Sequence, residues 1–193
     1  MSPRAGLDLD KIIAAAAEMA DADGVEGVTL AALAARLGVR SPSLYNHVNG
    51  LPQLREQLVL HGLRKLNDAV KGVLREGEGD EAIYRLGDVY IDFARRHPGL
   101  YELTLKAPAG ENSEHARLGE ELVQRLLRSL EHFRLGGEDA LHALRGLRSL
   151  LHGFASIERQ GGFGLKLEVN ESLRYALGKY LAGLRQNGEG GRP

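Results

Sequence analysis

Apolar residues recur every three or four positions along almost the whole chain, and nowhere do they alternate with polar ones over the length of a strand. That period points to an all-α fold. Leu9, Ile12, Ile13, Ala16 and Ala20 form the stripe of a first helix, which Gly24 can end. Thr29 is a good cap for a short second helix carrying Leu30, Leu33, Ala34 and Leu37, and Gly38 closes it. Ser41-Pro42 then opens a third, very short helix, because proline at the first helical position forfeits no hydrogen bond. It reaches about His47, before Asn49-Gly50. A longer fourth helix carries Leu54, Leu58, Gly62, Leu66, Val70 and Val73 and stops at residues 77–80, the sharpest break of composition in the chain. Further stripes over 83–93, 101–105, 118–133, 141–157 and 169–184 bring the total to about nine helices.

Net charge, taken alone, argues against nucleic acid. The 193 residues hold 25 Lys and Arg against 26 Asp and Glu, a net charge of −1, whereas phosphate binders are usually basic. The distribution says otherwise. Residues 36–75 carry Arg36, Arg40, Arg55, Arg64, Lys65, Lys71 and Arg75 against only Glu56 and Asp68. The balanced total hides a basic segment.

Enzyme chemistry finds little to work with. There is no Cys, so disulfides, thiolate metal sites and thiol nucleophiles are excluded. The seven His residues are scattered and form no His-Glu-x-x-His pair. Gly161-Gly162-Phe163-Gly164 joins two helices, not a strand to a helix, so it is no phosphate-cradling loop, and no Gly-x-Ser-x-Gly elbow occurs. No catalytic residue, metal or cofactor is expected. No apolar run exceeds six residues, far short of a membrane span, so the expectation is a cytoplasmic protein with no membrane partner.

The two short helices separated by Gly38-Val39-Arg40 fit a helix-turn-helix, whose second helix can enter a major groove. Leu44 and Val48, four apart, would face inward. Ser43, Tyr45, Asn46 and His47 are then left outward, with Ser41 and Pro42 leading. Hydroxyls suit phosphate, Asn and His suit base edges, and Pro suits a thymine methyl.

The run GVTLAALAARLGVRSPSLYNHVNG, within residues 9–60, resembles the N-terminal domain of the tetracycline-repressor (TetR) family of bacterial transcription regulators. The family pattern appears here as Thr29, Leu33-Ala34, Leu37-Gly38-Val39 and Leu44-Tyr45-Asn46-His47-Val48. The resemblance implies DNA contacts by Thr29, Arg40, Ser41, Pro42, Ser43, Tyr45, Asn46 and His47. Two departures stand out. Many members open helix four with Asn-Lys-Glu, whose Lys meets a phosphate; this chain has Asn49-Gly50-Leu51-Pro52, leaving that role to Arg55 or to backbone N–H groups. Helix two opens with Leu30-Ala31-Ala32 and no basic residue. With few cations near the groove, salt dependence should be shallow and non-specific binding weak.

The stretches HPGLYELTLKAP (97–108) and LHGFASIERQGGFG (151–164) resemble the subfamily whose C-terminal domain is named for a Trp-His-Gly signature, with Leu151 at the Trp position before His152-Gly153. This implies a small-molecule pocket, with His97, Tyr101, His152 and Phe154 as candidates for holding a small apolar or amphipathic effector. It also implies a homodimer through the last two helices, with Leu144, Leu147, Leu151, Leu173, Leu177 and Tyr180 at the interface. Gly146, Gly153 and Ala155 would admit a partner helix.

The expected organisation is a helix-turn-helix domain (1–49), a connecting helix (50–76), a ligand-binding and dimerisation domain (77–187) and a frayed tail (188–193). The expected function is a repressor that binds a palindromic double-stranded DNA operator as a homodimer and is released by a small molecule. The rival reading is a helical small-molecule-binding or scaffolding protein that has lost operator binding. A sequence-selective gel shift separates the two.

Overall fold

The computed structural model describes residues 7–76, 79–108, 110 and 113–189. Among them the chain forms nine α-helices and no strand: α1 (Leu9–Asp23), α2 (Leu30–Leu37), α3 (Ser41–Leu44), α4 (Gly50–Glu76), α5 (Gly79–Arg96), α6 (Pro98–Thr104), α7 (Glu114–Ser129), α8 (Gly137–Arg159) and α9 (Val169–Glu189). Single 3-10 turns occupy Val25–Gly27 and Glu131–Phe133. The expected break at 77–80 falls partly outside the described residues, α5 beginning at Gly79. Of the expected frayed tail, Gly188 and Glu189 are helical, and 190–193 lie outside the described residues.

The chain divides into two compact units. The first joins Met1–Lys65 to Arg96–Leu118 and so contains α1, α2, α3, the first part of α4, and α6. Ile12, Leu33, Leu44, Leu54, Leu58 and Leu100 are its largest fully buried side chains. Helix α6 docks on the end of α1 so closely that a Cβ on Gly99 would sit 2.1 Å from the Ala20 carbonyl oxygen. Asp21 holds the contact. Its carboxylate accepts the backbone N–H of Gly99 (3.0 Å) and of Leu100 (3.1 Å), capping α6, and pairs with His97 Nδ1 at 2.8 Å. On the α4 side, the absent Cβ of Gly62 would lie 3.0 Å from the Thr104 methyl group.

The second unit joins Leu66–Arg95 to Gly119–Pro193. Its core takes Ile83, Leu86 and Ile91 from α5, Leu147 and Leu151 from α8, and Leu173, Leu177 and Leu181 from α9. Gly87 gives room for Leu177, whose methyl would lie 2.8 Å from an added Cβ. At the rim, Arg95 forks onto Glu158 (2.9 and 2.6 Å), and Arg174 pairs with Asp88 at 3.1 Å.

Candidate nucleic-acid interface

Three local devices build the helix-turn-helix. Thr29 has extended backbone, and its Oγ1 accepts the Ala32 N–H at 3.1 Å, satisfying one of the unpaired donors at the start of α2. Gly38 ends α2 at φ 66°, where side chains are strained, and its N–H reaches the Ala34 and Ala35 carbonyls. Arg40 keeps extended backbone ahead of α3, which carries Pro42 in its first turn.

The third helix is shorter than its pattern suggests. Helical bonding ends at Leu44, whose carbonyl accepts from both His47 (2.9 Å) and Val48 (3.0 Å), so residues 45–47 form a turn. Leu44 and Val48 are buried, as their spacing requires. Tyr45 is 57% exposed; Thr29, Arg40, Pro42 and Asn46 are exposed, and Ser41, Ser43 and His47 are half-buried. Hydroxyl, phenol, amide and imidazole groups thus share one short surface segment held from beneath by two apolar anchors. Asp8 caps α1, and its carboxyl is held below the usual range by the Lys11 backbone N–H, then by the Lys11 side chain, with a smaller contribution from His47.

The basic segment is partly neutralised in three dimensions. Arg36 pairs with Glu18 at 2.5 Å, Arg55 with Glu26 at 2.8 Å, and Arg64 with Glu114 at 2.6 Å. The Arg64 bond, foremost, pulls the Glu114 carboxyl below its ordinary value. Sequence reasoning missed these pairs, because the acids lie 18 to 50 residues away along the chain. At the start of α4, Asn49 donates its N–H to the Gln53 side chain.

His61, on α4, adds an acid-sensitive group. Burial pushes its imidazole below the ordinary value, and Lys65 and Arg64 push the same way. The unfolded chain therefore takes up the proton first, so this contribution to stability is complete above pH about 6.5 and is lost progressively as pH falls from there through the lower value of the folded state. The melting temperature should drop as pH falls below about 6.5, and His61→Gln should reduce the drop. An unchanged drop in His61→Gln would place the acid sensitivity elsewhere.

The candidate effector residues divide between the units. His97 and Tyr101 belong to the first, His152 and Phe154 to the second. His97 has a structural use, pairing with Asp21 and standing 3.5 Å from Lys65 Nζ. Tyr101 is buried, and Phe154 lies against Phe163 with ring centres 5.4 Å apart. A polar cleft of about 480 Å³ opens in the second unit between Asp88, Val89, Asp92, Arg95, Asn170 and Arg174, and none of the four candidates lines it.

The expected interface residues lie largely inside the single chain. Leu144, Leu147, Leu151, Leu173 and Leu177 are buried within the single chain, so its own atoms already cover them. Tyr180 fills the space beside Gly146 and donates its hydroxyl to the Ala143 carbonyl, and Ala155 is buried as well. The stripe closes the protomer's core. Exposed instead on the same helices are Leu141, Ile157 and Tyr175, while Gly153 and Gly183 face open space.

An all-α chain with a capped helix-turn-helix on buried anchors defines a class, the helical DNA-binding regulators. Comparison narrows it. Residues 12–47 match the bacterial regulatory proteins of the tetR family, and residues 83–180 match the tetracyclin repressor-like C-terminal domain. The chain is 42% identical over 188 residues, 97% of each chain, to the uncharacterized HTH-type transcriptional regulator YobS of Bacillus subtilis. It is 32% identical over 161 residues to an HTH-type transcriptional regulator of Mycobacterium tuberculosis, covering 81% of this chain and 72% of that one. A Rhodococcus protein of unknown function has the same fold, with a TM-score of 0.83 at 23% identity over 96% of this chain and all of the other. The chain belongs to the TetR family of bacterial transcription regulators. Among the described residues no helix is long and apolar enough to cross a membrane.

Proposed function

We propose that the protein is a cytoplasmic, ligand-responsive repressor that binds a palindromic operator as a homodimer and leaves it when a small molecule binds. The observation that carries this reading is the exposure of Tyr45 and Asn46 directly after buried Leu44 in a capped helix-turn-helix. Solubility does not call for a phenol on that surface; groove contact does. Thr29, Arg40, Ser41, Pro42, Ser43, Tyr45, Asn46 and His47 make the contacts, with half-sites about one helical turn apart or slightly more. Residues 1–49 read DNA, 50–76 connect, and 77–187 bind effector and partner. A tetracycline repressor variant from Acinetobacter baumannii, of the same fold at 18% identity and a TM-score of 0.67, was solved with minocycline. For this chain the proposed effector is apolar or amphipathic, and His97, Tyr101, His152 and Phe154 stay candidates for its pocket.

The deciding experiment is a gel shift on the DNA upstream of the protein's own gene, with unrelated duplex as competitor. A shift that survives competitor supports the reading; no selective shift at moderate salt removes it and leaves the binding or scaffolding alternative.

The dimer contact is proposed on the exposed side of α8 and α9, around Tyr175 and the open Gly153 and Gly183. Light scattering should give about twice the 21.0 kDa of one chain. Tyr175→Glu should weaken association by about 2 kcal/mol or more without unfolding the protomer. Leu147→Ala should instead destabilise the fold by about 2–5 kcal/mol. A Tyr175→Glu protein that stays fully dimeric at micromolar concentration would move the interface elsewhere.

A further inference from the structure

We propose that Arg55 is the phosphate-binding cation at the start of α4, and that Glu26 is the residue that restrains it in the free protein. The proposal rests on the DNA-binding reading above and adds a residue pair to it.

Arg55 is the first cation of α4, since positions 49–52 hold Asn, Gly, Leu and Pro. Its Nη2 lies 2.8 Å from Glu26 Oε2, and Glu26 sits in the 3-10 turn just ahead of Thr29, the cap of α2. The pair therefore joins the beginning of α4 to the segment that delivers α2, inside the unit that carries Tyr45 and Asn46.

Exposure within the pair is lopsided. The Glu26 side chain is 86% exposed and that of Arg55 only 35%, so the carboxylate lies outermost and occupies the guanidinium from the solvent side. The Arg55 Nε is shielded from solvent and has no acceptor, so Glu26 engages the guanidinium through Nη2 alone. A guanidinium fork takes carboxylate and phosphate in the same planar geometry, so a phosphate oxygen can replace Glu26 without rebuilding the site. Exposed ion pairs are weak, and a duplex presents a dense row of phosphates, so the exchange favours DNA. Until then Glu26 acts against binding twice, by occupying Arg55 and by setting a negative charge beside it. The Arg36–Glu18 pair repeats the arrangement on α2.

The test uses a labelled generic duplex, so no operator need be known. Anisotropy titrations across roughly 50–200 mM salt compare wild type, Glu26→Gln, Arg55→Gln and the double variant. Glu26→Gln is expected to bind about threefold tighter or more at the low-salt end. Arg55→Gln should flatten the salt slope by about 0.9 per protomer. In the Arg55→Gln background the gain from Glu26→Gln should fall well short of its wild-type size. An unchanged slope in Arg55→Gln, or an equal gain in both backgrounds, overturns the proposal while leaving the regulator intact. No binding of the generic duplex by any form, together with no selective shift on the upstream DNA, overturns the shared reading itself. Because Glu26 is highly exposed, Glu26→Gln keeps the fold, and unchanged affinity in that variant alone is enough to reject the idea.

Discussion

The double variant Tyr45→Ala/Asn46→Ala is expected to lose operator binding by about 30-fold to 10⁴-fold while melting at the wild-type temperature. One well-made contact to a base edge is worth about 1–3 kcal/mol, and a symmetric dimer loses it in both half-sites, about 2–6 kcal/mol in all. Stability should stay within about 0.5 kcal/mol, because both side chains are exposed and the local anchors are Leu44 and Val48. Gel shifts with the upstream fragment, read beside thermal melts, separate the two effects. A double variant that shifts like wild type removes the contact assignment. One that melts early shows that Tyr45 and Asn46 are structural.

The second large effect is Gly99→Ala, expected to destabilise the protein by about 3 kcal/mol or more. The new Cβ would arrive 2.1 Å from the Ala20 carbonyl oxygen, and backbone cannot retreat as a flexible side chain can. Helix α6 would have to lift from α1, and the N–H groups of Gly99 and Leu100 would lose Asp21. Gly72→Ala is the control, because nothing lies within 4 Å of its added Cβ and α4 is helical there. That change should be neutral or stabilising by up to about 1 kcal/mol. Urea denaturation of both variants decides the matter; equal midpoints would mean that α6 docks more loosely than the distances say.

What could be read from the sequence was local. The cap at Thr29, the left-handed stop at Gly38 and the inward pair Leu44 and Val48 each follow from residues within a few positions of one another. The same locality set the limits. A stripe such as Leu144, Leu147 and Leu151 proves that α8 has an apolar face, but periodicity does not say whether α9 of the same chain or a partner covers it. His97 looked like a pocket residue because its partner, Asp21, lies 76 positions earlier. Gly99 gave no signal, since a close approach between helices leaves only a glycine behind it. The basic segment was legible as composition, whereas its partial neutralisation depends on acids brought in by the fold. The DNA-contact list rests on family pattern and exposure, and the gel shifts above are its measure.

The capture of α6 by α1 has a consequence for how the protein comes into being. The first unit is discontinuous, made of Met1–Lys65 and Arg96–Leu118, so the half that carries the helix-turn-helix is unfinished when its own fifty residues leave the ribosome. Asp21 waits for amides 78 and 79 positions downstream. Local helices can form early, but the surface around Ala20 stays uncovered until α6 has been synthesised. A fragment ending after α4 would carry every residue of the proposed reading surface and still lack the helix that closes its core. Closure of that core is thereby deferred until just over half the chain, through Thr104, exists.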